Sequence, residues 1–278
     1  MLVWVTGANG LIGSYIIAKT PPEWKIQPIT RREVDLLDFA AVRQLWKRDN
    51  PAVVIHCAAL SKSVACQQQP ELARKTNVDL TRLLADLAAD CQLIFFSSDL
   101  VFDGRQGNYR ETDAVNPLTL YGATKAEAER IVLQNPNHTV LRTSLNAGVS
   151  RTGDRAFNEE MRRAWEAGKT LSLFTDEFRC PIPAVVTAKA VWALVNLNAR
   201  GLFQLAGAER LSRYEIGRLL AKRWPHIMPR MAPASLRDYQ GPPRSADTSL
   251  NCDKVQVILP FPLPRFSDWL ANDPPELI

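Results

Sequence analysis

Cysteine is scarce and scattered. The five residues, Cys57, Cys66, Cys91, Cys180 and Cys252, form no Cys-x-x-Cys pair, which argues against a disulfide framework or a zinc knuckle and for reduced thiols in a cytoplasmic protein. Long apolar runs are also missing: none approaches the roughly 20 residues needed to span a bilayer, and no basic segment followed by an apolar stretch marks a secretory signal. Histidine is rare, at three residues, and His56, His138 and His226 are too isolated to suggest a metal centre or a triad. His56 lies inside an apolar run, and core or surface roles suit all three. No Gly-x-Ser-x-Gly elbow occurs. The formal charge of +5 favours anionic partners, but Lys and Arg are dispersed, so neither nucleic acid nor a membrane is expected as a partner.

What is present is an alternation of short β-branched runs with amphipathic stretches, the pattern of parallel strands joined by crossover helices. Strands are expected at 2–6, 26–30, 52–57, 92–97 and 138–142. Helices are expected near 11–19, 39–49, 70–89 and 118–135, with Asp38 as the cap of the second. Beyond residue 143 the order loosens, and the pieces expected are a helix at 155–168, a strand at 171–174, a helix at 187–199, a strand at 202–206 and a helix at 212–223. The stretch 225–249 reads as loop. The fold class is therefore α/β, a Rossmann-type doubly wound parallel sheet with a small C-terminal substrate-binding part. Residues 1–143 would form the dinucleotide-binding domain, and residues 144–278 would mix returning Rossmann elements with a substrate-binding lid.

The segment Thr6-Gly7-Ala8-Asn9-Gly10-Leu11-Ile12-Gly13 lies between the first strand and the first helix, the context in which a glycine-rich turn binds a dinucleotide. Gly7 suits the tight turn, Gly10 lets the backbone approach a pyrophosphate at the helix N-terminus, and Gly13 lets the helix pack on the strand. The second strand ends at Arg31 and Arg32, where an acidic residue would hold the ribose of NAD. Two arginines there suit a 2′-phosphate instead, so NADPH is the expected cofactor and NADH the alternative. A solvated loop pair is their bland reading.

Tyr121 and Lys125, four apart on an expected helix, share one face. A cation beside the phenol would lower its pKa toward working pH and make it a proton donor to a reduced carbonyl. That spacing is common by chance. Its support comes from Ser97 and Ser98 at the end of the run Leu93–Phe96, where open α/β sheets place ligand contacts. A one-residue register shift would exchange the two serines, and Ser98 is the choice for the carbonyl. Asp99 and Asp103 read as turn or capping residues.

Further segments join these: Asp35-Leu36-Leu37-Asp38, Val54-Ile55-His56-Cys57-Ala58-Ala59, Asn77-Val78, Ser97-Ser98-Asp99-Leu100-Val101-Phe102-Asp103-Gly104, Glu111-Thr112-Asp113, Asn116-Pro117, Tyr121-Gly122-x-x-Lys125-x-x-x-Glu129 and Leu141-Arg142-Thr143-Ser144. With the glycine turn they resemble the extended short-chain dehydrogenase/reductases, and within them the dTDP-4-dehydrorhamnose reductases. The resemblance implies an oxidoreductase in which Ser98 polarises the substrate carbonyl, Tyr121 is the general acid and Lys125 tunes Tyr121 and holds the nicotinamide ribose. It implies that Asn77 supports a kinked helix and a relay water; a helix cap or an exposed polar residue is the alternative. Cofactor contacts would come from Gly7, Asn9, Gly10, Leu11, Ile12, Gly13, Arg31, Arg32, Asp35, Leu36, Ala58, Ala59, Leu60, Ser97, Tyr121 and Lys125. Ser98, Asn146, Arg179 and Arg244 would meet the substrate, a nucleotide-linked sugar, with the two arginines as candidates for a diphosphate. A homodimer is compatible with this reading.

The resemblance thins at Leu145-Asn146-Ala147-Gly148, where those reductases carry an aromatic-rich stretch. It returns at Asp176-Glu177-Phe178-Arg179-Cys180-Pro181 and at Gly201–Gly207. Two other functions remain compatible: a nucleotide-sugar epimerase or dehydratase of the same fold, and a non-catalytic dinucleotide-binding regulator similar to the regulatory subunit of methionine adenosyltransferase.

Overall fold

The computed structural model describes residues 1–272. The chain begins with β1 (Leu2–Thr6), α1 (Leu11–Ala18), β2 (Lys25–Ile29), α2 (Phe39–Asp49) and β3 (Val53–His56). Then come α3 (Ser63–Gln68), α4 (Pro70–Arg74), a π-helical segment (Lys75–Asp79), α5 (Leu80–Leu87), β4 (Gln92–Ser98), α6 (Leu120–Val132) and β5 (Thr139–Thr143). The later part comprises β6 (Asn146–Ala147), α7 (Phe157–Glu166), β7 (Thr170–Phe174), β8 (Phe178–Arg179), β9 (Ile182–Pro183), α8 (Ala184–Asn196) and β10 (Gly201–Leu205). It ends with β11 (Leu211–Ser212), α9 (Arg213–Arg223), β12 (Arg230–Ala234), α10 (Asp253–Ile258) and α11 (Phe266–Asn272).

Six strands form one parallel sheet in the order β10-β5-β4-β3-β1-β2. Residue alternation explains why the sheet is covered on both faces. Val3, Val5, Ile55, Ile94 and Phe96 point to a core completed by α1, α8 and α10, while Trp4, Val54, Leu93 and Phe95 point to another completed by α2, α5 and α6. The chain steps outward from β1 to β2 and then returns past β1 to β3. The loops leaving β1 and β3 therefore diverge and open a crevice at the carboxyl ends of the strands, where such sheets bind ligands.

Residues after β5 divide between two tasks. α8, β10 and α10 return to the sheet, and β10 pairs with β5. α7, β7, α9 and α11 instead enclose a separate apolar core around Phe157, Trp165, Leu220, Trp224 and Phe266. β12 pairs with β7 inside the stretch read as loop, a pairing with residues some sixty positions away that leaves little local trace.

The single helix expected over 70–89 is corrected. It is α4 and α5 joined by a π-helical segment, preceded by a separate α3. The N–H of Leu80 reaches back to the carbonyl of Lys75, five residues earlier, and the widened turn brings Asn77 inward. No helix among the described residues is long and apolar enough to cross a membrane.

Candidate active site

Two loops form the floor of the crevice. Gly7 adopts a positive φ of 64°, and a Cβ on it would lie 2.7 Å from the backbone nitrogen of Ala58 in the loop after β3. A Cβ on Gly13 would stand 2.4 Å from the Gly7 carbonyl oxygen, so helix and turn meet backbone to backbone. No side chain caps α1 and its first turn holds no acidic residue, so its N-terminal amides remain available to an anion. This cradle fits a dinucleotide pyrophosphate. Asn9 is exposed at its lip, while Leu11 is buried and Ile12 half-buried as α1 begins.

Around the cradle, Ala58, Ala59 and Leu60 are half-buried along the loop after β3, and Arg31 and Arg32 stand exposed beyond β2. Asp35 is exposed and accepts from the N–H of Leu37 at 3.0 Å, whereas half-buried Leu36 packs against the α2 side of the core.

Asn77 is a buried joint. Its Oδ1 accepts from the N–H of Leu60 at 2.8 Å, while its Nδ2 donates to Leu60 O at 3.1 Å and to Thr124 Oγ1 at 3.0 Å. Thr124 Oγ1 donates in turn to the carbonyl of Tyr121 at 2.8 Å. The π-helical segment, the cofactor-side loop and helix α6 are thereby locked together. Thr124, one residue before Lys125, gave no local sign of this task.

The two serines at the end of β4 part company. Ser97 has the parity of Leu93 and Phe95, and its hydroxyl donates to Glu129 Oε1 at 2.5 Å. Glu129 is paired with Arg142 at 2.7 Å, both side chains being buried. Ser97 is among the expected cofactor contacts; its hydroxyl is committed to an internal ion pair. Ser98 lies at the crevice. Its hydroxyl donates to Asp99 Oδ1 at 3.1 Å, accepts from the N–H of Leu100 at 3.1 Å and stands close enough to the phenol of Tyr121 to act on its ionisation.

Tyr121 and Lys125 lie on one buried stretch of α6, whose N-terminus is capped by Thr119. Burial pushes the Tyr121 phenol above its ordinary value, and the nearby Ser98 side chain only partly opposes this. The expected lowering of the phenol by Lys125 is therefore not found in the free protein. Lys125 is the displaced group: burial pushes its ammonium down to about 7, against the attraction of Glu129, and Nζ rests 4.0 Å from the centre of the Phe95 ring.

Asp99 is more than a turn residue. Its buried Oδ2 accepts from Ser144 at 2.8 Å and Thr248 at 3.1 Å and lies 3.7 Å from Arg179 Nε. It ties β4 to the later part of the chain. No local pattern marks it, because two of these partners lie in the last hundred residues.

Two expected substrate ligands have internal partners here. Arg179 is internal: it donates to the carbonyls of Phe178 and Ser245 and pairs with Glu177 at 3.2 Å. Asn146 gives both amide hydrogens to Thr143 Oγ1 and Ser144 O, each at 3.1 Å, and accepts from Thr187 at 2.6 Å. Arg244 is half-exposed, bound to Glu177 at 2.5 Å and stacked between Phe174 and Tyr239. Burial opposes ionisation of Glu177, yet the Arg244 hydrogen bond and the charges of Arg179 and Arg213 hold its carboxyl below the ordinary value. Arg213 was missed. It opens α9 half-buried, with its guanidinium 5.9 Å from the Phe157 ring. Among the described residues no cluster of His, Cys, Asp and Glu suits a metal ion.

The RmlD substrate binding domain model matches residues 1–272. The chain belongs to that family. A curated relative, methionine adenosyltransferase 2 subunit beta of Xenopus laevis, is 31% identical over 91% of this chain and 80% of its own length. The dTDP-4-dehydrorhamnose reductase of Sinorhizobium fredii is 29% identical over 96% of this chain and 95% of its own. Among solved structures of the same fold, dTDP-4-dehydrorhamnose reductase from Bacillus anthracis in complex with NADP superposes with a TM-score of 0.89 at 22% identity, covering 97% of each chain. The ortholog from Clostridium acetobutylicum reaches 0.88 at 25% identity, again over 97% of each.

Proposed function

We propose that the protein is an NADPH-dependent reductase acting on the keto group of a nucleotide-linked deoxysugar, of the dTDP-4-dehydrorhamnose reductase kind. One observation carries this reading: at the carboxyl end of β4 the Ser98 side chain stands beside the buried phenol of Tyr121, with Lys125 one turn along the same helix. The full-length similarity to a dTDP-4-dehydrorhamnose reductase supports the substrate class, and the solved relative holding NADP supports the cofactor.

The glycine cradle and the amides of α1 would hold the pyrophosphate, and Arg31 and Arg32 the 2′-phosphate. A reduced nicotinamide, when bound, supplies hydride. Ser98 orients the ketone oxygen, and Tyr121 donates its phenolic proton to that oxygen as negative charge develops on it. A phenol raised by burial stays protonated at neutral pH, as the donor requires. The Lys125 ammonium favours the phenolate left behind, while the Asn77–Leu60–Thr124 bonds keep donor and cofactor loop in register.

The test is oxidation of NADPH with dTDP-4-dehydrorhamnose, run beside Tyr121→Phe. The variant is expected to bind NADPH with unchanged affinity and to lose turnover by a factor of about 100 or more. Wild-type turnover in the variant would refute the donor assignment.

The 30–31% identity to methionine adenosyltransferase 2 subunit beta favours a second reading, a dinucleotide-binding partner subunit. A wild-type protein that binds NADPH, reduces no nucleotide-sugar ketone and forms a stable complex with a methionine adenosyltransferase catalytic chain would establish it in place of the first.

A further inference from the structure

The segment between β6 and α7, residues 148–156, folds back across the first helix. The N–H of Val149 donates to the Tyr15 hydroxyl on α1 at 3.0 Å, and Ala156 packs with Leu11 and Ala184 against the same tyrosine. The first turn of α7 fastens the segment from beneath. Asn158 exchanges two 3.0 Å hydrogen bonds with the backbone of Gly148. Buried Glu159 accepts from Ser150 N at 2.6 Å, Ser150 Oγ at 2.7 Å and the N–H groups of Arg155 and Ala156, each at 3.0 Å. The result is a strap of set conformation.

The strap carries Arg151 to the lip of the glycine turn. Its exposed guanidinium makes one hydrogen bond, 3.3 Å from Nη1 to Asn9 Oδ1. A neutral amide oxygen at that distance is a weak partner for a five-donor cation, and the nearby carboxylates are engaged elsewhere: Glu159 by the strap and Asp154 by Thr152 and Arg155. Arg151 therefore stands with unused donors beside a backbone cradle built for an anion.

We propose that Arg151 is a ligand of the cofactor pyrophosphate, exchanging Asn9 for phosphate oxygens at the lip of the cradle. The proposal rests on the dinucleotide reading of the glycine turn. Because Glu159 and Tyr15 already hold the strap, little ordering entropy remains to oppose the contact. The arginine would act on both NADPH and NADH, which share the pyrophosphate, unlike Arg31 and Arg32, which would meet only the 2′-phosphate.

Calorimetric titration of Arg151→Ala tests this. The expected result is a loss of about tenfold in affinity for NADPH, NADH and ADP-ribose alike, with no change for adenosine 2′-phosphate, which lacks the pyrophosphate. Tyr15→Phe, which removes the anchor of the strap and leaves Arg151 in place, should weaken the same three ligands by a smaller factor. Wild-type affinity for all three ligands in Arg151→Ala would overturn the proposal, as would a loss confined to NADPH and adenosine 2′-phosphate. Failure of the wild-type protein to bind either dinucleotide would instead remove the cofactor reading itself. Arg151 is exposed, so the melting temperature of its variant should match the wild type and exclude misfolding as the cause.

Discussion

Ser97 and Ser98 are adjacent on β4, yet the hydroxyl of one is spent on the buried Glu129–Arg142 pair and that of the other is held by Asp99 and Leu100 beside the phenol of Tyr121. Strand alternation makes the division. Ser97 continues the row of Leu93 and Phe95 beneath α6, and Ser98 the row of Ile94 and Phe96, ending at the crevice. The two alanine variants should therefore fail differently. Ser97→Ala removes a hydrogen bond to a charge and should lower stability by about 1.5–3 kcal/mol. Ser98→Ala should keep its melting temperature within a few degrees and lose turnover. Equal losses of turnover in both would contradict the division.

The Glu129–Arg142 pair is a demand on stability rather than chemistry. Glu129→Gln leaves a buried guanidinium without its counter-charge and should cost about 3–5 kcal/mol in urea unfolding. A Glu129→Leu, Arg142→Leu double variant should cost less than the single change, because no unpaired charge remains. A double variant less stable than Glu129→Gln would show that the pair contributes net attraction.

Lys125 sets an opposition between function and stability. Its folded pKa of about 7 lies below the ordinary 10.5, so between those values the unfolded chain holds the extra proton and stability rises with pH. Lys125→Met removes the cost of a buried ammonium. Stability at pH 7 should increase by roughly 2–4 kcal/mol, because each tenfold weakening of proton binding on folding costs about 1.4 kcal/mol and packing losses in the variant offset part of the gain. The pH slope above 7 should flatten. Reduction by the wild type should decline as pH rises through about 7, where the ammonium loses the charge that favours the phenolate. An inflection that persists in the variant would assign it to another group.

Much of this was legible because it is local. Apolar alternation marked all six strands of the main sheet to within a residue or two at either end, and the spacing from Gly7 to Gly13 placed the cradle, since a parallel strand buried on both faces and a side-chain-free turn leave their mark in consecutive residues. What escaped depends on distant partners. The resemblance pointed to a kink at Asn77, but its π-helical form follows from bonds between Asn77 and residues 17 and 47 positions away. A lone arginine such as Arg179 reads as a ligand until the fold brings Asp99, Glu177 and Ser245 around it. The strap could not be read at all, because its anchor, Tyr15, lies 134 residues before the group it holds.

The exposed pair Arg31 and Arg32 offers a direct test of cofactor choice. Replacing both with Ser should weaken NADPH by about tenfold or more and leave NADH within about twofold, since only NADPH carries the extra phosphate. Dissociation constants for both dinucleotides measure this. Equal loss would mean that the arginines act through general charge, and no loss that they are solvated.

His56 links the glycine turn to the π-helical segment through a chain whose direction can be deduced. Thr81 Oγ1 donates to the carbonyl of Asn77 at 2.8 Å, so it accepts from His56 Nε2 at 3.1 Å. The ring nitrogen Nδ1 then accepts from Thr6 Oγ1 at 2.7 Å, and that oxygen accepts from the N–H of Ala58 at 3.2 Å. This arrangement requires a neutral ring, and burial, aided by the charge of Lys125, pushes His56 down to about 3. In the unfolded chain the ring protonates near 6.5, so the unfolded state binds more protons between those values and stability should fall as pH drops from 6.5 toward 3. Urea midpoints measured across that window should decline in the wild type. His56→Gln, which can preserve a donor and an acceptor without titrating, should lose part of the slope, whereas His56→Phe should be less stable at every pH, by about 2–4 kcal/mol, because Thr6 and Thr81 lose their partner. An unchanged slope in His56→Gln would assign the acid sensitivity to the carboxylates instead.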